Sequence, residues 1–522
     1  MLNKKLNKQA LVGQSILLAL AFSWQNAVVA AAPVVKEKAG KVGKSLETKN
    51  KEKSPKETSQ PQALKAETID ESFRKSAPVL PKPRPFTLPK IEKHRLSNGL
   101  EVQFLEDHRF PFTSFNFGFK TGSAYESKDL TGVADATAKM LNEGTETLSS
   151  KALADKVEFM GGAIKASADY DYSILSASCL SAYNQNMLDL LGDVLLHPSF
   201  PEDELKLFKV NSIQALAMKR AQPDFLVEER FSKVVFGNHP YSLVSPSESD
   251  INKLTRSDLV EFHHANYVPN NAVLIIVGDV NPSETLQYLE KTLAKNWLSK
   301  PIEANKLELA PEKRERKIHL VDRPGSVQTS IRVGNLSIRR DDPDYYAMLV
   351  ANQILGGTAH ARLFMNIRED KGYTYGAYSR LAPRREPGAF FAKAEVRTEV
   401  TNPSLLEFIY ELTKMRTTRV KPEELNAAKN YLAGSFQLGL ETQAGIAQRL
   451  LEANIYNLSD DYLEKYADKI MAVNEDDVQK AAQKLINENN LVICVVGDAG
   501  KIKNELSLFA PVAVYDTDGK LK

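Results

Sequence analysis

Apolar and polar positions along the chain fall into patterns that recur in the same order. After Leu105 to Pro111 the residues alternate, with Phe115, Phe117 and Phe119 on one parity, the period of a half-buried strand. A second stretch begins alike, Leu320 to Pro324 followed by Ile331 and Val333. Two later segments, NNAVLIIVGD at 270–279 and NNLVICVVGD at 489–498, are continuous apolar runs closed by Gly-Asp. Ahead of each lies an amphipathic segment that opens on polar N-cap chemistry, Thr255 to Asp258 in one copy and Asn474 to Asp477 in the other. The repeat divides the chain into lobes at 91–299 and 317–522, with the Pro, Glu and Lys of 300–316 as a hinge. Strands and helices are mixed within each copy. That predicts an α+β fold of two homologous lobes, each a mixed sheet with helices packed on one face. Within the second copy, Leu363, Phe364 and Ile367 share the face of a helix that can end at Gly372. Tyr373, Tyr375 and Ala377 then alternate as a strand with one common face.

Composition changes this picture mainly at the N-terminus. With 522 residues and 43% apolar content the chain can bury more than one core. A net charge of +2 gives no reason to expect nucleic acid or an anionic membrane as a partner. Lys4, Lys5 and Lys8 precede the apolar run Ile16 to Phe22 and the small residues Ala27, Ala30 and Ala31, so 1–31 reads as a signal peptide. The run is short of the ~20 residues a bilayer span needs, and no later stretch suffices, so no transmembrane span is expected in the mature chain. Residues 32–90, rich in Lys, Glu and Pro, read as a disordered spacer, because such a composition buries too little surface to offset chain entropy. The two cysteines, Cys179 and Cys494, sit in apolar strand-like runs and suggest buried thiols, neither a disulfide framework nor a zinc cluster.

Candidate chemistry concentrates in two segments. The first is GSAYE at 122–126 with TGVADATAKMLNEGT at 131–145; the second is LGGTAHARLFMNIREDKGYTYGAYS at 355–379. Together they resemble the insulinase/pitrilysin family of zinc peptidases, the inverzincins, in their bacterial two-lobed branch similar to processing peptidases. In zinc-binding members a helix carries H-x-x-E-H, two imidazoles four apart with a glutamate that activates water. Here the corresponding positions are Asp135, Ala138 and Lys139, and the family's further glutamate ligand falls near Ala215 in a helix from Phe208 to Lys219, with Gln214 and Leu216 as neighbours. Asp135 and Lys139 have the spacing of an i,i+4 ion pair. His263 and His264 are adjacent, which on a helix points them ~100° apart and suits no shared metal. In the second segment Arg368 and Tyr375 stand at the spacing of the family's substrate-binding arginine and tyrosine. Gly356 and Gly357 match its glycine turn, which the resemblance adds to the substrate-binding residues, and His360 and Arg362 read as helix-start and helix-surface residues.

The resemblance implies two lobes around a clam-like chamber and a division of labour between subunits. This chain would bind no cofactor itself. Zinc would come from a homologous H-x-x-E-H partner in a heterodimeric metalloendopeptidase, and Arg368 and Tyr375 would hold peptide substrates and stabilise the oxyanion. Export to a bacterial periplasm is the implied location. The rival from another class is a structural scaffold homologue, and a less expected one is a self-sufficient peptidase with a different metal site.

Overall fold

The computed structural model describes residues 89–302, 307–311 and 317–522. The signal-peptide assignment and all of the spacer but residues 89 and 90 therefore lie outside the described residues, as do 303–306 and 312–316 of the hinge. Among the described residues twelve strands form two six-stranded mixed sheets. The first contains β1 (Ile91–Arg95), β2 (Glu101–Glu106), β3 (Phe112–Phe119), β4 (Ala163–Ala168), β5 (Ser173–Leu180) and β6 (Ala272–Gly278), in the order β1-β2-β6-β3-β5-β4. The second contains β7 (Ile318–Asp322), β8 (Gln328–Leu336), β9 (Thr374–Ala382), β10 (Ala389–Arg397), β11 (Val492–Gly497) and β12 (Val512–Tyr515), in the order β12-β7-β11-β8-β10-β9. Five strands correspond one to one. In each sheet a parallel pair, β2 with β6 and β7 with β11, is extended by three antiparallel neighbours. The sixth strand breaks the repeat, since β1 runs antiparallel to β2 whereas β12 runs parallel to β7.

Nine helices place the site: α1 (Val133–Met140), α2 (Glu202–Arg220), α3 (Pro223–Phe236), α4 (Arg256–Asn266), α5 (Tyr345–Gly356), α6 (Thr401–Thr417), α7 (Pro422–Gly439), α8 (Gln443–Ile455) and α9 (Glu475–Leu485). The capping expected at the two repeat helices is present. Thr255 and Asp258 form a capping box on α4, and Asn474 and Asp477 form one on α9.

Each sheet has its own lobe's helices on one face, as the mixed pattern predicts. The opposite face is covered by a helix from the other lobe. Leu226, Val227, Phe231 and Val235 of α3 pack on Val321, Val492, Cys494 and Val496 of the second sheet. Reciprocally, Ile446, Leu450 and Leu451 of α8 pack on Val273, Ile275 and Val277 of the first. This exchange explains why β6 reads as an unbroken apolar run, because a strand buried on both faces has no polar parity to show. Gly118 on β3 lacks a side chain for the same reason: a Cβ there would lie 2.1 Å from Leu451 Cδ1. The seam between the lobes, where these two helices cross over, is thus packed core. Cys179 and Cys494 are free and buried, and burial pushes both thiols up to about 12.

Candidate functional site

The helix expected to carry metal ligands is α1. It opens at Gly132, whose φ of 92° only glycine tolerates without strain. Its first turn is capped from a distance, because the Glu126 carboxylate accepts the Gly132 and Ala134 N–H groups at 2.9 and 2.8 Å. Burial raises that carboxyl to about 7, against the two hydrogen bonds that lower it. Along α1, Ala138 is fully buried, and Lys139 Nζ lies 2.8 Å from Asp135 Oδ2 in a half-exposed i,i+4 pair, as its spacing predicts. On α2 the inward residue is Leu216, 7% exposed, whereas Ala215 faces solvent.

These residues do not fit a zinc ion. A tetrahedral site takes at least three protein ligands, and α1 offers one carboxylate already engaged by an ammonium. Among the described residues no group of three or more His, Cys, Asp or Glu is placed to hold a metal. His263 is 4% exposed between Phe200 and Tyr267, and burial lowers its imidazole to about 3, while His264 is exposed. The full chain purified alone is accordingly expected to carry far less than stoichiometric zinc by elemental analysis, and a value near one zinc per chain would overturn this.

The second segment builds a different surface. The predicted helix through Leu363, Phe364 and Ile367 is present, but Phe364–Asp370 winds as a π-helix, a geometry frequent at functional sites. It ends where expected, with the Gly372 N–H donated to the Arg368 carbonyl and Gly372 at φ 64°. Asn366 Nδ2 fastens it to α6, donating to Glu407 Oε2 and Glu411 Oε1 at 2.9 Å each. Arg368 emerges from it with its side chain 42% exposed, its guanidinium 5.0 Å from the Phe364 ring and in close contact with the Glu369 carboxylate.

Tyr375 is 90% exposed at the start of edge strand β9. The expected common face of Tyr373, Tyr375 and Ala377 is not found. Ala394 pairs with Ala377 while Val396 pairs with Thr374, so two steps on β10 face three on β9, and the extra residue falls at Tyr375–Gly376. Such a bulge turns a side chain out of its strand's parity.

The glycines also differ from expectation. Gly356 is the last residue of α5 and Gly357 its cap at φ −76°, so neither needs a left-handed turn. Gly356 is buried instead, and a Cβ there would lie 2.3 Å from the Ser379 N of β9; at Gly357 it would meet Gln353 Oε1 at 2.2 Å. Gly356 thus serves the close approach of α5 to the strand that carries Tyr375, whereas Gly357 leaves room for the Gln353 side chain of α5 itself. His360 is exposed as expected. Arg362 is not a surface residue: its side chain is 9% exposed and forks onto Glu424 with two bonds of 2.9 Å, because the turn before the π-helix points it into α7.

Sequence reasoning gave no sign of one further cluster. Asp171, 2% exposed, accepts the Tyr241 hydroxyl and, at 3.0 Å, the Arg385 N–H from the tip of the β9–β10 hairpin. Arg384 stacks 3.8 Å from the Tyr170 ring, and Arg385 bonds Tyr125, just before Glu126. The strand bearing Tyr375 is thereby anchored at its far end in the first lobe. The Arg-Arg-Glu of the tip was the only available signal, and it reads equally as a solvated turn.

Residues 104–245 match the family model described as Insulinase (Peptidase family M16), and residues 253–432 match the one described as Peptidase M16 inactive domain. A Bacillus subtilis protein named as an uncharacterized zinc protease, YmxG, is 25% identical over 402 residues, covering 76% of this chain and 96% of its own. A Rickettsia bellii protein named as an uncharacterized zinc protease is 25% identical over 409 residues, covering 76% and 97%. Among solved structures, a peptidase M16 inactive domain from Pseudomonas fluorescens is 29% identical with a TM-score of 0.73, over 78% of this chain and 98% of that one. A protease from Helicobacter pylori, 20% identical with a TM-score of 0.74 over 79% and 100%, shares the fold.

Proposed function

We propose, from the premise that this chain belongs to the insulinase (M16) family of peptidases, that it is the zinc-free subunit of a two-chain metalloendopeptidase. The observation that carries the reading is the exposed pair formed by Arg368 on the π-helix and Tyr375 on the adjoining bulged strand. Neither residue contributes to a core in a way that explains its place. In this role the partner brings the metal chemistry. This chain binds an extended peptide, and the Arg368 guanidinium and Tyr375 hydroxyl donate hydrogen bonds to the carbonyl oxygen as negative charge develops on it. A preorganised donor of this type is typically worth ~3 kcal/mol. Since the seam between the lobes is packed, the chamber enclosing the peptide would form between two chains. Export to a bacterial periplasm rests on the pattern at 1–31, and among the described residues no helix is long and apolar enough to cross a membrane.

A scaffold role is favoured by one observation, the contact of Arg368 with Glu369, which gives the guanidinium a local partner. Affinity purification of the full chain from its own cells separates the two readings. A co-purifying homologue with H-x-x-E-H, and hydrolysis of fluorescein-labelled casein by the pair but by neither chain alone, is the expected result. A stable complex in which the zinc-bearing chain cleaves casein equally well alone supports the scaffold.

A further inference from the structure

We infer that Thr374 is a positioning residue, whose hydroxyl holds the β9 bulge in the form that aims Tyr375. This rests on the reading of Tyr375 given above and goes beyond it in naming what sets the tyrosine's direction. Tyr375 is 90% exposed, and among the described residues nothing bonds its hydroxyl or stacks on its ring. No packing orients it, so what is fixed is the direction of its Cα–Cβ bond, which the backbone sets. That backbone is the bulge, where the regular ladder between β9 and β10 is interrupted.

The gap in the ladder is filled by one side chain. Thr374 Oγ1 accepts the Gly376 N–H at 3.1 Å and donates its single proton to the Glu395 carbonyl at 2.5 Å, nearer than the Gly376 carbonyl at 3.1 Å. One hydroxyl therefore spans Tyr375 within its own strand and ties the bulge across to β10. Local side-chain bonds of this kind substitute for the ladder where the ladder fails. Beyond the bulge, the Tyr378 ring occupies the space where a Cβ on Gly376 would stand, 2.7 Å from Tyr378 Cε2. That ring packs 5.6 Å from Phe364, the ring on which Arg368 rests. The clasp thus holds Tyr375 in a fixed relation to the π-helix that carries Arg368.

The test uses the full chain with its co-purified H-x-x-E-H partner and fluorescein-labelled casein. Thr374→Val, which keeps the shape and loses the hydroxyl, is expected to lower kcat about tenfold with KM nearly unchanged, and Thr374→Ser to restore the rate to within about twofold. Added to Tyr375→Phe, Thr374→Val should cost no more than about twofold further, because a clasp acting through the tyrosine has nothing left to aim. An equal loss in both backgrounds, or a serine variant no better than valine, overturns the inference while leaving the functional reading intact. Should Tyr375→Phe alone retain the full rate, that reading fails and hydrogen exchange on the full chain decides the clasp by itself. Exchange of the Gly376 amide at least about tenfold faster in Thr374→Val but not in Thr374→Ser supports it, and unchanged exchange overturns it.

Discussion

Asp224→Ala is expected to lower the unfolding free energy by about 2–4 kcal/mol, which makes it the most destabilising single change proposed for the seam. Asp224 lies on α3 of the first lobe, and its partners lie on the second sheet. Arg332 Nη2 is 3.2 Å from Asp224 Oδ1 and 3.6 Å from Glu228 Oε2, and Lys393 Nζ is 2.9 Å from Asp224 Oδ2. The Arg332 side chain is only 3% exposed, its guanidinium 4.5 Å from the Phe391 ring. Removing Asp224 leaves that cation with a more distant carboxylate, so the cost is that of an under-compensated buried charge rather than of a surface pair. Glu228 softens the loss, which places the expected value at or below the usual range for a broken buried pair. Chemical denaturation of both proteins measures it. Combining Asp224→Ala with Arg332→Met should recover part of the loss, since no buried cation then remains. If the double variant is less stable than Asp224→Ala, burial of charge is not the cause.

The same pair carries a pH dependence of defined sign. Burial pushes the Asp224 carboxyl up, but Arg332 and Lys393 outweigh it and hold it below the usual aspartate value. A carboxylate with a depressed folded pKa contributes stability that is present above its unfolded pKa and lost as pH falls through the folded one. His263 acts in the same direction at milder acidity, because burial keeps it neutral down to about 3 while the unfolded imidazole protonates near 6.5. Between those two values it removes up to about 1.4 kcal/mol of stability for each unit of pH lowered. Since α3 and α8 are each built into the other lobe's sheet, both lobes should melt in one transition across this range. Two separate transitions would contradict the exchange.

What could be read in advance was whatever local pattern determines. The repeat of β6 and β11 with their capped helices needed only apolar runs and an Asx or Thr cap, and these are properties of a few consecutive residues. The end of the π-helix at Gly372 was legible for the same reason. The helix exchange was not, although its trace lies in Gly118 and in the doubly buried β6. A glycine without a turn and a strand without parity announce a covering element but not which one, because α8, starting at Gln443, is far from both Gly118 and β6 in sequence. The π winding and the bulge were also hidden. Each displaces one residue from its period, so the face shared by Tyr373, Tyr375 and Ala377 was misjudged. Arg362 shows the limit from the other side: an arginine directly before the apolar Leu363 and Phe364 looks solvated until Glu424 on α7 meets it.

Arg368→Ala and Tyr375→Phe are each expected to lower casein hydrolysis by the reconstituted pair roughly ten- to a thousandfold, the range for losing one donor to a developing oxyanion. Assembly and the partner's zinc content should be unchanged, because Arg368 is 42% exposed on its side chain, Tyr375 is 90% exposed, and neither supports a core. The two donors differ in kind. Arg368 offers a planar fork with several N–H groups, so its loss should raise KM as well as lower kcat by releasing the peptide backbone. Tyr375 offers one hydroxyl at the end of a rigid ring, and Tyr375→Phe keeps the ring while removing only that proton. Its effect should appear in kcat, with KM nearly constant. If both act on one carbonyl, the double variant loses less than the product of the single losses, since the second donor is worth little once the first no longer fixes the oxygen. The Glu369 contact supplies a control within the same turn. Glu369→Gln frees the guanidinium, and the rate should hold or rise if Arg368 works on substrate. A fall equal to that of Arg368→Ala would show that the arginine serves the π-helix instead, and full rates in all three variants would leave this chain as a scaffold for its partner.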